Sequence, residues 1–171
     1  MGIAEIKKEL KKLEKDALID MIGELYKKHK PVKEHLDFWV SQDETALLEK
    51  YKEKVLRAFF PVRGFQLKLK DAKQAIADFK KLEPHPAAVA DLMLYYVETG
   101  VRFNNEFGDI NEAFYIGLQT VYSDALTLMK STGVLSDFSV RAAKVLHDTE
   151  NIGWGFYFDL EYIHRMFYSP K

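Results

Sequence analysis

The sequence predicts an all-α fold of about seven to nine antiparallel helices, as a solenoid-like helical array or an irregular bundle. Three observations carry this. Apolar residues recur three and four apart in segment after segment. Proline, glycine and capping residues punctuate those segments at short intervals. The one alternating run, Phe65 to Lys70, has no second strand to pair with, so it reads as an extended linker.

Ile3, Ile6, Leu10 and Leu13 define a first amphipathic helix. Leu18, Ile22 and Leu25, with Ile19 and Tyr26 beside them, define a second, capped at or near Asp16. Lys27, Lys28, His29 and Lys30 close it, where cations suit the helix dipole. Pro31 fits the first turn of a third helix that buries Val32, Leu36 and Trp39 or Val40. A start signal over Ser41 to Glu44 opens a fourth, with a stripe of Leu48, Tyr51, Val55 and Phe59. Pro61 and Gly64 break it. Asp71 to Leu82 is helical, with Ala72, Ala75, Ile76, Phe79 and Leu82 inward. Glu83-Pro84-His85-Pro86 is a loop, because proline disfavours helix at the residue before it.

Pro86 to Phe107 has two apolar faces, one with Ala90, Met93, Val97 and Val101, the other with Val89, Leu92, Tyr96, Phe103 and Phe107. A helix apolar on two faces packs between neighbours. Its third face carries Asp91, Glu98, Arg102, Asn105 and Glu106, and the four-residue steps of Glu98, Arg102 and Glu106 suggest an ion-pair ladder. Asn104 continues an apolar stripe and therefore needs a hydrogen-bond partner. Gly108 suits a left-handed cap. Asp109 and Glu112, three apart, have capping-box spacing for the next helix, which runs to Gly133. Ser136 or Asp137 starts another, to about Asp148, with Phe138, Ala142 and Val145 inward. Thr149 to Gly155 is a loop, and a last helix buries Phe156, Leu160, Ile163 and Phe167.

The length of 171 residues suits one domain, 1–171, with a basic first half (1–82) and an acidic, aromatic-rich second half (86–171). Residues 1–81 hold 19 Lys/Arg against 14 Asp/Glu, and residues 82–171 hold 6 against 12. Most of the lysines alternate with acids at helical spacing, as a solvated helix face does, which argues against nucleic-acid binding. From Tyr95 on lie 15 of the 23 aromatics, placing the heavier core there. With no cysteine, disulfides, thiol catalysis and cysteine-ligated zinc are excluded. No apolar run approaches the ~18 residues of a membrane span, and the N-terminus lacks the apolar core of a signal peptide. A cytoplasmic protein is expected.

Few motifs carry chemistry. Asp109-x-Asn111 matches only a fragment of a twelve-residue calcium loop. His147-Asp148 is the dipeptide of a family of all-α metal-dependent phosphohydrolases. That site also needs an earlier histidine (His29, His35 or His85) and a later aspartate such as Asp159. Glu161-x-x-His164 has di-iron spacing but occurs once where two copies are needed. Asn151-Ile-Gly-Trp-Gly-Phe sets Trp154 between two glycines. Its indole either plugs the core, the favoured reading, or stands exposed as a binding anchor.

LIDMIGELYKKHKPVKEHL, DLMLYYVETGVRFNNEFGDINEAFY and NIGWGFYFDL resemble the characteristic stretches of a small bacterial family of mostly helical proteins known only as a domain of unknown function. The resemblance extends from about Ile6 to Phe167. It implies a bacterial, cytoplasmic protein and carries no activity, cofactor or catalytic residue. The residues then favour a non-catalytic helical scaffold for a protein partner, with a homodimer as a further option. Its binding residues are Arg102, Asn105, Glu106, Asp109, Glu112, Asn151 and Trp154, with no cofactor, catalytic or metal residues assigned. One alternative is a metal-assisted hydrolase using Glu106, Asp109, His147 and Asp148. The other is nucleic-acid binding through the lysine-rich first half.

Overall fold

A computed structural model describes residues 2–63 and 66–169. The expected break at Gly64 and the start of the alternating run at Phe65 lie outside the described residues. Among the described residues there are nine α-helices, one short 3-10 helix and no strand, so the protein is all-α. The chain divides into two compact units, Met1–Asp43 and Glu44–Lys171.

The first unit holds α1 (Ile3–Leu10), α2 (Lys15–Lys28) and α3 (Lys30–Ser41). Pro31 lies in the first turn of α3, as its fixed φ favours. Asp16 sits in the first turn of α2 but does not cap it; Glu14 holds the cap position without a side-chain bond. Helices α2 and α3 pack on each other. The Tyr26 hydroxyl donates to Asp37 Oδ1 at 2.7 Å, and Lys33 pairs with the same carboxylate at 3.0 Å. Not one side chain of the three helices is buried. The inward placement expected for Trp39 or Val40 is corrected, for they are 67% and 75% exposed.

The second unit holds α4 (Glu44–Phe59), α5 (Leu69–Lys80), α6 (Pro86–Phe107), α7 (Glu112–Ser131), α8 (Ser139–His147) and α9 (Phe156–Tyr168). A 3-10 turn over Leu135–Phe138 leads into α8, which therefore starts later than a cap at Ser136 or Asp137 would place it. The 66–68 stretch does not pair as a strand; the Lys68 N–H donates to the Ala58 carbonyl at 2.9 Å, which turns the chain back from α4 into α5. Leu47, not Leu48, is the buried residue opening the α4 stripe of Tyr51, Val55 and Phe59.

Helix α6 packs against α4, α5, α7 and α8, while α9 packs on α7 and α8. Solenoid repeats touch only their sequence neighbours, so this is an irregular bundle about α6. Both apolar faces of α6 are buried from Val89 to Phe103. Phe107, the last residue of the helix, is 53% exposed instead of inward. The Phe59 ring, fully buried, meets Tyr96 edge-on at 5.3 Å and lies within 6.5 Å of Phe103 and Phe114. Each such ring contributes about 1.5–3 kcal/mol by leaving water. Where α6 meets α7, Gly100 lets the backbones close up, for a Cβ there would come within 2.4 Å of Leu118 Cδ2.

Candidate functional site

The turn between α6 and α7 and the loop before α9 build the candidate site. Gly108 ends α6 at φ 86° and ψ −172°, an extended glycine conformation and not the left-handed cap expected. Asn111, not Asp109, caps α7: its Oδ1 accepts from the Phe114 N–H at 3.0 Å. Glu112 lies in the first turn, where its charge suits the helix dipole. The expected Asp109–Glu112 capping box is therefore corrected.

Asp109 is held by a tyrosine. The buried Tyr115 hydroxyl lies 2.9 Å from Asp109 Oδ1 and 2.7 Å from Asn104 Oδ1. The hydroxyl's single proton is shared between the two acceptors in a three-centre bond. Asn104, 4% exposed, thus finds the partner its burial demands. Burial, reinforced by the bond to Asp109, pushes the Tyr115 hydroxyl up to about 12. It remains a donor at neutral pH.

The loop comes to the same place. A Cβ on Gly153 would lie 3.1 Å from Asp109 Oδ2, so the glycine lets the loop backbone rest on the carboxylate. Trp154 follows with φ 63°, and its ring lies 6.2 Å from Tyr115, tilted by 31°. Phe156, fully buried, backs Tyr115 from 5.0 Å. Trp154 itself is 62% exposed, which corrects the core-plug reading: the left-handed backbone and its flanking glycines aim the indole outward. Beyond it, Phe158, Tyr162 and Met166 repeat every four residues and are exposed along α9. Trp154 and the Phe158–Tyr162–Met166 stripe are thus both open apolar surface, a pattern that marks interaction surfaces.

The other sequence candidates scatter. Asn105 joins the loop by donating to the Asp148 carbonyl at 2.7 Å. Arg102 lies over the Phe60 ring at 4.2 Å, outside any ladder with Glu98 and Glu106. Glu106, Glu112 and Asn151 stand exposed. His147 pairs with Glu150 at 3.2 Å, and Asp148 pairs with Lys144. His85 caps α6, its Nδ1 accepting from the Ala87 N–H, and Asp159 accepts from Gln119 at 2.7 Å. His164 sits 2.9 Å from the Tyr122 hydroxyl and stacks on Tyr168, while Glu161 pairs with Arg165. Among the described residues no three His, Asp or Glu side chains gather with metal-holding geometry. The hydrolase set of Glu106, Asp109, His147 and Asp148 forms no such group.

One charged cluster escaped the sequence reading. Arg141 of α8 grips Glu98 through two bonds of 2.8 Å and Asp91 through one of 2.9 Å, and Lys52 of α4 lies 3.3 Å from Asp91. The bidentate bond to Glu98 raises the Arg141 pKa above its ordinary value. Its only sequence signal was two acids seven apart on α6, one helical face. It ties α4, α6 and α8 together, and its carboxylates are already answered by cations. The basic surplus of the first half lies within residues 44–81, which hold 10 Lys/Arg against 5 Asp/Glu; there Lys54, Arg57 and Lys68 share an open cleft of about 440 Å³ with Asp71 and Asp78. No helix among the described residues is long and apolar enough to cross a membrane.

A family model described as a family of unknown function (DUF6155) matches residues 1–168, and the chain belongs to that family. No curated protein and no solved structure matches the chain.

Proposed function

We propose that this member of the DUF6155 family is a non-catalytic helical scaffold that binds a protein partner at Trp154 and the α9 stripe. The observation that supports the reading is the exposure of Trp154 at 62%, on a backbone fixed by Gly153, Gly155 and the Asp109–Tyr115 pair. A rigid exposed indole beside buried aromatics is the usual form of an interface anchor. The partner we infer is an amphipathic helix. The stripe is long and narrow, about 12 Å from Phe158 to Met166, which suits helix-in-groove docking. Asp109 at its head, in an acidic second half, favours a lysine or arginine on that helix. The bacterial, cytoplasmic setting implied by the resemblance belongs to the same proposal.

Quantitative capture by wild-type protein and by Trp154→Ala, followed by calorimetric titration of what is captured, tests this. Truncating a central anchor costs about 2 kcal/mol or more, so Kd should rise roughly 30-fold or more. Phe158→Ala should weaken binding less, and Asp109→Asn should reduce its dependence on low salt. Unchanged affinity in both aromatic variants would place the binding surface elsewhere.

A further inference from the structure

We infer that residues 1–43 are a dimerisation module, in which the apolar faces of α1, α2 and α3 pack against the same faces of a second copy of this chain. The first observation is the emptiness of that unit's interior. None of its three helices buries a side chain, yet nine of its large apolar residues are more than a third exposed, among them Ile3, Ile6, Ile19, Ile22, Leu25 and Trp39. They are not scattered. Ile3, Ile6, Leu10 and Leu13 follow the alternating three- and four-residue steps of a coiled-coil seam, and Leu18, Ile22 and Leu25 continue that spacing in α2. A unit of about 40 residues is near the size at which its own core seldom suffices, and association is one way to add to it.

Area and charge select the occupant. Nine apolar side chains exposing on the order of 100 Å² each offer about 900 Å² per copy, against the ~800 Å² per partner of a standard stable interface. The unit carries nine lysines and nine acidic residues, so it repels no copy of itself. Its charge is also divided: residues 1–13 hold four lysines and two acids, residues 14–43 five lysines and seven acids. A two-fold arrangement that sets the N-terminal helix of each copy on the hairpin of the other brings these opposite charges together, and by symmetry does so twice. The positive N-terminal helix of one chain then faces the negative hairpin of the other, in both directions. A surface for a strongly charged foreign partner would carry one sign.

Sedimentation equilibrium of the full chain from about 1 to 100 μM tests this, a range in which interfaces of standard size are populated. The wild type should sediment at twice 19.9 kDa. Ile22→Glu with Leu25→Glu should give a monomer whose Glu44–Lys171 unit still melts as in the wild type. Should that variant lose helix in residues 1–43, Lys7→Glu with Lys8→Glu gives an independent reading on exposed residues, and should weaken the dimer about tenfold or more. Because the chain has no cysteine, a single Ile22→Cys should cross-link only to a second copy under a bismaleimide reagent. A monomeric wild type overturns the proposal. So does a dimer that survives both pairs of substitutions, or one lost on Phe158→Glu instead.

Discussion

The two units of the chain use the same amphipathic pattern and reach opposite ends. In Met1–Asp43 the apolar stripes are cleanly spaced, and none of the described residues is buried. In Glu44–Lys171 the central helix has its apolar residues spread over two faces, and nearly all of them are buried. Periodicity reports that a helix has a face to cover; it does not report that the chain covers it. A helix apolar on two sides is different, because only a packed interior accommodates it.

The sharpest break of this contrast is a pair of truncations read by calorimetry. Phe59→Ala removes a fully buried ring and should cost about 3–5 kcal/mol, lowering the melting temperature of the Glu44–Lys171 unit by roughly 10 °C or more. Ile19→Ala, at a residue 54% exposed, should leave that transition within about 1 °C. Equal effects would erase the distinction.

A smaller effect tests what charge adds to the second unit. Arg141→Met leaves Asp91 and Glu98 without their guanidinium, and both carboxylates are only 20–29% exposed. The expected loss is about 1–3 kcal/mol, between a surface pair and a buried one. Adding Glu98→Gln should return part of it, and a double-mutant cycle measures the coupling.

The smallest effect is a pH slope. Burial lowers the His164 pKa, so the folded chain resists a proton that the unfolded chain accepts. Its contribution is therefore present above the ordinary histidine range near 6.5 and declines as pH falls through the lower folded value. Melting between pH 7 and 5 should show a decline of a few degrees at most, flattened in His164→Asn.

These contrasts also mark what was legible in the sequence. The bounds of α6 were, because Pro86 opens the helix and Gly108 closes it, and both signals are local. The core of the second unit followed from Tyr51, Val55, Phe59 and the two faces of α6. The Arg141 cluster was not legible: its partners lie 43 and 50 residues away, beyond any local period. The cap of α7 was misplaced because Asp109 and Asn111 are both competent. The deciding term is the Tyr115 hydroxyl, which reaches Asp109 from the first turn of the next helix. Trp154 shows a third kind of limit. Its glycines announce an unusual backbone, but the direction of the ring goes with long-range neighbours, Asp109 against Gly153 and Tyr115 beside the indole.

The missing side chain at Gly100 has a consequence some distance from where it acts. Leu118 drops into the space a methyl group would fill, which fixes how far α7 can slide along α6. Tyr115 lies one turn earlier on the same helix, and at that setting its hydroxyl reaches Asn104 and Asp109. Glycine 100 thus works as a gauge: it sets the register of a hairpin, and through it the bearing of an indole that never touches it.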